Sequence, residues 1–196
     1  ISINMGGTLT YYYNIVEPGT YLYHCHVEAT EHMEMGMLAN LYVHPRQDRL
    51  GIGGDAGLDG IIGTADDNID SATAAARFGG SGPQGYVYND DDGTTGWDVE
   101  AAIQLGGFDS AFHDASLLVQ PLPFSDLESD YPQFNGRGYP DTVVQAPLPA
   151  APSGGGELSQ LLHSAIEVTS GQTLLLRISN VGLDRFWTLT APGLKM

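Results

Sequence analysis

Tyr23-His24-Cys25-His26, followed by His32 and Met37, is the stretch on which the reading of this chain turns. A Cys thiolate, imidazoles and a thioether close together are the soft donor set of a blue-copper centre, a trigonal His₂Cys site with a weak axial Met. The second feature is alternation. Along a strand, successive side chains point to opposite faces. His24 and His26 are therefore expected on one face and Cys25 on the other. One short strand can then touch one copper on its Cys side and other coppers on its His side.

Other metals fit less well. A closed zinc site usually takes more than one Cys, and this chain has a single Cys. A Met-rich run such as Met33-Glu34-Met35-Gly36-Met37 is more often packing than ligation, and Met33 and Met35 are read first in that way.

The local sequence resembles that of the multicopper oxidases. Gly19-Thr20-Tyr21-Leu22-Tyr23-His24-Cys25-His26 is similar to the strand that enters their site, and His32-Met33-Glu34-Met35-Gly36-Met37 resembles the His…Gly-Met element that follows it. The resemblance implies that Cys25, His32 and Met37 are type-1 copper ligands. It implies that His24 and His26 are ligands of the type-3 pair in a trinuclear copper cluster. The second imidazole of the type-1 site would lie upstream. In most members the His after the Cys comes two residues sooner. At the usual offsets this chain has Thr30 and Met35. Thr is a poor copper ligand, and the spacing between His32 and Met37 fits the family, so the ligand loop is read as two residues longer. Met33 and Met35 remain alternative axial donors.

The chain has 196 residues, 24 acidic and 7 basic, with a net charge of −17. Such a surface repels nucleic-acid phosphates and anionic membranes. It suits metal cations or cationic partners, though acidic excess more commonly serves solubility. One Cys excludes an internal disulfide. The sequence holds neither a signal peptide nor an apolar run long enough to span a membrane. Its ends, Ile1-Ser2-Ile3-Asn4 and Ala191 to Met196, read as an internal fragment of a longer protein.

The expected fold class is all-β: Greek-key cupredoxin-type sandwiches, the end of one domain and the start of the next. Residues 1–45 would close the first domain, with strands over Leu9–Val16, Tyr21–Val27 and Gly36–Pro45 and a turn at Glu17-Pro18-Gly19-Thr20. Residues 46–97 form a Gly/Asp-rich insert. Asp55, Asp59, Asp66, Asp67 and Asp70, with Asn89-Asp90-Asp91-Asp92-Gly93, offer hard oxygens that suit calcium, although the spacing is not an EF-hand loop. A solvated acidic loop is the commoner meaning. Ser71–Phe78 reads as a short helix with Ser71 as N-cap. Residues 98–196 would open a second cupredoxin-like domain. Val99–Leu105 reads as a strand, Ile166–Asn180 as two strands about a Gly turn, and Phe186–Thr190 as another. Phe134-Asn135-Gly136-Arg137-Gly138-Tyr139-Pro140-Asp141 and the Leu176-Arg177…Asn180 run resemble segments of the family's second domain. His44, His113 and His163 stand apart and read as surface or structural histidines, with a polar cluster of Asp109 and Asp114 near His113.

Functionally, the resemblance implies an oxidase. A small donor, a phenol or a reduced metal ion, gives single electrons that pass through the Cys-His linkage to the trinuclear cluster, where O₂ is reduced to water. The blue-copper motif precedes another β domain, as in two-domain and ceruloplasmin-like members rather than three-domain laccases. The remaining cluster histidines would come from other cupredoxin domains or neighbouring subunits, and these residues alone would be inactive. Family members are mostly periplasmic, cell-surface or extracellular. Two alternatives stand beside this. A copper nitrite reductase lacks a second His directly after the Cys, so His26 argues against it. In a simple electron-transfer cupredoxin, His24 and His26 together would be surplus.

Overall fold

A computed structural model describes residues 3–50, 83–90, 93–118, 121–153 and 155–193. Among them strands are the main regular element and helices are few and short. None of the helices is long and apolar enough to cross a membrane.

The first unit is a hairpin. Strand β1 (Gly19–His24) pairs antiparallel with β2 (Leu38–Val43), in register from Gly19 opposite Val43 to His24 opposite Leu38. The sequence favours this pairing: Thr20, Tyr21, Tyr23, Tyr42 and Val43 are β-branched or aromatic and fit a pleated surface. Between the strands the chain forms helix α1 (Ala29–Glu34). The hairpin continues as helix α2 (Gln47–Leu50), which packs on the two-residue strand β3 (Gly85–Tyr86), itself paired antiparallel with β4 (Gly96–Trp97).

The second unit is a three-stranded sheet around β5 (Val99–Phe108). On one side β6 (Tyr131–Phe134) runs antiparallel to it; on the other β7 (Leu174–Asn180) runs parallel. Helix α3 (Ser110–Ser116) follows β5 directly. Asp109 caps it by accepting the Phe112 N–H at 2.9 Å, the arrangement that short polar caps favour. The apolar core is small: Ile103, Phe112, Leu122, Tyr86 and Trp97.

Arg177 joins the two units. Its side chain is 2% exposed and ion-paired through Nε to Glu100. Its guanidinium lies 5.7 Å from the Tyr42 ring centroid and 3.4 Å from the Thr20 hydroxyl. Ser179 donates to Asn40 Oδ1 at 3.0 Å beside it. A second buried arginine, Arg137, donates to the carbonyls of Asp141, Val144, Ala146 and Gln160 and pins the long loop after β6. It follows a tight turn at Asn135 (φ 53°) and Gly136 (φ 75°), a left-handed pair that Asn-Gly tolerates.

Several expectations change here. Leu9–Val16 forms no strand, and Tyr11, Tyr12 and Tyr13 are exposed. Strand propensity alone does not hold a strand without a neighbour to satisfy its N–H and C=O groups, and none of the described strands pairs with it. β1 stops at His24, short of the expected Val27. Of the two strands expected over Ile166–Asn180 only the second forms, as β7, and Phe186–Thr190 is irregular. The expected helix at Ser71–Phe78 lies outside the described residues, as do Asp55, Asp59, Asp66, Asp67, Asp70, Asp91 and Asp92. Asp90 is described. Against the cost of burial, N–H donors from Gln47, Gly93 and Thr95 hold its carboxyl well below the ordinary range. Its oxygens are thus occupied by the loop's own donors.

Arg177→Met removes the cation from a buried pair. Because Glu100 keeps partial solvent contact, with its side chain 25% exposed, the expected loss is about 2–4 kcal/mol of stability. Denaturant unfolding checks it: an unchanged midpoint would mean that Arg177 does not tie the hairpin to β7.

Candidate metal centre

The hairpin and the helix between its strands carry the candidate ligand residues. Cys25 sits one position past β1, and its N–H donates to the Met37 carbonyl at 3.0 Å, which extends the ladder by one rung. Cys25 and Met37, distant in sequence, therefore become neighbours through backbone pairing alone. The residues between them arch over as α1, which the sequence reading treated only as a lengthened loop.

The ends of α1 explain its position. At its C-terminus Gly36 takes φ +88°. The Gly36 N–H bonds to the Met33 carbonyl at 2.9 Å and the Met37 N–H to the His32 carbonyl at 2.8 Å. This is the paired closure of a helix by a left-handed residue, for which glycine carries no Cβ penalty. The closure turns the chain back so that Met37 enters the β2 side of the hairpin. At the N-terminus Glu28 is itself left-handed, φ 52°, and no side chain caps the helix.

His32 lies on the face of α1 that turns toward Cys25. Its Nδ1 is 3.0 Å from Cys25 Sγ. The contact shifts both groups: the His32 hydrogen bond lowers the Cys25 thiol below its ordinary pKa, and the same bond raises His32. Thiolate and imidazolium favour one another. On its other edge His32 faces carboxylates. Its Nε2 is 3.9 Å from Glu28 Oε2, and ligand atoms of Glu28, Glu31 and His32 all lie within 4.8 Å of one another.

His24 and His26 share one side of the peptide, with ring centroids 5.7 Å apart. His24 Nδ1 is 2.7 Å from the Cys25 carbonyl oxygen. His26 is exposed and His24 partly buried. Met37 is 54% exposed, and it is tied to Cys25 through its backbone. Met33 lines a cavity of about 220 Å³ against Gly106 and Gly107 of β5, which suits packing; Met35 is at the surface.

The remaining histidines have structural surroundings. His44 bridges Asp48 (3.0 Å) and Glu100 (3.6 Å). His113 stacks on Phe108, with centroids 4.0 Å apart, and its Nε2 is 3.6 Å from Glu34. His163 borders a groove with Leu161 and Leu162. Sequence reasoning did not single out Glu34. Burial pushes its carboxyl up, and only the fold brings it to His113 and Asp109.

Residues 1–47 match the family model of the multicopper oxidases. This stretch of the chain is similar to a multicopper oxidase segment. The match takes in every candidate ligand, from His24 to Met37, and ends as α2 begins. No curated protein and no solved structure matches the chain. Multicopper oxidases are copper-binding oxidoreductases, so copper is the metal that the family implies. The donors suit it: a thiol with a lowered pKa in contact with an imidazole is a soft pair of the kind copper takes.

In the copper-free protein the Cys25–His32 contact sets thiol reactivity. A depressed thiol pKa means that thiolate persists to lower pH. Alkylation by iodoacetamide is expected to show a pH midpoint below the ~8.5 of a free thiol, and His32→Ala should move it back upward. Equal midpoints in the two proteins would contradict the contact.

Proposed function

We propose that residues 1–47 contribute the type-1 copper ligands, and two ligands of a trinuclear copper cluster, to a multicopper oxidase that reduces O₂ to water. The observation that carries this reading is the arrangement at His24-Cys25-His26: a thiol in contact with His32, 3.0 Å from its Nδ1, flanked in sequence by two imidazoles whose rings lie 5.7 Å apart. Cys25 and His32, with Met37 as the axial donor, form the type-1 set. His24 and His26 form the type-3 contribution. When bound, copper supplies single-electron chemistry, with its potential tuned by the weak axial ligand.

The chain's own residues account for the rest. The Cys25 side chain and the adjoining peptide bonds to His24 and His26 form the shortest covalent route from the type-1 donors to the type-3 imidazoles. α1 covers the Cys25 side of that route. The electron donor is a phenol or a reduced metal ion, and Glu28 and Glu31 beside the outer edge of His32 favour the cation, since a carboxylate pair attracts positive charge at short range. The second type-1 imidazole lies upstream in the same cupredoxin domain, and the remaining cluster histidines come from other cupredoxin domains or from neighbouring subunits. The exposed Tyr21, Leu22 and Tyr23 of β1 support such a neighbour, because adjoining apolar side chains left in water mark contact surfaces. On this reading the strands belong to Greek-key cupredoxin-type sandwiches, and the protein works in the periplasm, at the cell surface or outside the cell.

His26→Ala separates this reading from a copper nitrite reductase or an electron carrier. In the whole protein, O₂ reduction should be lost while the blue thiolate-to-copper colour is kept. Unchanged oxygen consumption in that variant would overturn the oxidase assignment.

A further inference from the structure

Helix α1 presents a problem of support. It has six residues, none of them buried along its whole length from backbone to side-chain tip, and no side-chain cap at its N-terminus. Isolated helices of that length do not hold themselves in water. Yet it carries His32, whose Nδ1 must stay within reach of Cys25 Sγ. The hairpin fixes Cys25 and Met37 by backbone pairing, and Gly36 closes the far end of the helix. Neither fixes how the helix is tilted over the hairpin.

Glu34 supplies the missing tie. It lies one helical half-turn from His32, and its side chain is 3% exposed. Oε1 accepts the Asp109 N–H at 2.9 Å across to the second unit. The same oxygen is 3.6 Å from His113 Nε2, which is buried without a hydrogen-bond partner among the described residues. The cradle is itself rigid. Asp109 is 4% exposed, and its carboxylate accepts the Phe112 N–H (2.9 Å) and the Glu128 N–H (2.8 Å). His113 is stacked on Phe108 at the end of β5. A carboxylate in such a place is retained only where its acceptor bonds are made, because an unpaired one would carry a large desolvation penalty.

We propose that Glu34 is a positioning residue: by anchoring α1 to Asp109 and His113 of the β5–α3 corner, it holds His32 against Cys25 and so sets the geometry of the metal site from the second unit. This rests on the reading of Cys25 and His32 as copper ligands. It also gives the β5–β7 sheet a part in the site, although it lies outside the oxidase match. Supporting residues of this kind typically change metal affinity about 10–100-fold when removed.

The test uses the full-length protein and compares Glu34→Ala with Glu34→Gln. Two readouts are taken: copper titration followed by the thiolate-to-copper band and EPR, and amide hydrogen exchange of the copper-free protein. Glu34→Ala should bind copper about tenfold more weakly with a shifted band. In its copper-free form Ala29–Glu34 should exchange faster while β5–β7 stays protected. Glu34→Gln, which keeps an oxygen for the Asp109 N–H, should restore both. If Glu34→Ala also loses β5–β7 protection, Glu34→Asp replaces it: the carboxylate stays but stops one methylene short of Asp109, and the same weakening is expected. Wild-type affinity and band in the variant overturn the proposal, even if α1 loosens, since the role would then be structural only. Wild-type exchange over α1 overturns it too. Absence of a blue band in the wild-type protein would overturn the copper reading instead, and the exchange result would still decide whether Glu34 anchors the helix.

Discussion

The hydrogen bond from the Cys25 N–H to the Met37 carbonyl is the constraint from which the site follows. It is the last rung of the β1–β2 hairpin, and it makes neighbours of two soft donors separated by a helix. With that rung in place the intervening residues have to arch, and Gly36 lets the arch close in a single turn. His32 then arrives over the thiol. The candidate donors Cys25 and Met37 are thus brought together mainly by backbone pairing, which is strong in register and tolerant of side-chain change. Side chains do the finer work of tilting the arch.

The hairpin in turn needs the sheet behind it. Two strands alone are marginal in water, and much of this hairpin's apolar surface is still exposed. Arg177 and Ser179 of β7 reach its Thr20, Asn40 and Tyr42, and Glu34 reaches back from α1 to the β5–α3 corner. Polar contacts, several of them buried, do here what a larger apolar core would do elsewhere. Such contacts are directional. They fix orientation better than they add stability, which is the requirement of a site whose donors must meet at set distances.

The candidate donors were legible in the sequence because their chemistry is rare and their spacing is local. Cys25, His24 and His26 stand out by residue type and adjacency, and β1 and β2 needed only β-branched and aromatic runs bounded by Pro18-Gly19 and Pro45. Val99–Leu105 and Leu174–Asn180 were readable for the same reason. What could not be read was whatever depends on partners distant in the chain. Leu9–Val16 has the composition of a strand, but whether it forms one depends on a neighbour that composition does not name. The helix that carries His32 reads in the sequence only as a lengthened loop, because Thr30, His32 and the short length argue weakly for a helix; the closing glycine is the available signal. Glu34 carries no local mark, being an acidic residue in an acidic chain, and His113 is marked only by Asp109 and Asp114 nearby. Only the fold brings them together.

The central claim is that Cys25 and His32 hold a type-1 copper. The most direct measurement is copper content together with the visible and EPR spectra of the full-length protein. An intense thiolate-to-copper band, with about four coppers for each set of blue and trinuclear sites as the ligand logic requires, is the result expected here. Copper bound without that band, or no copper bound, would contradict the claim.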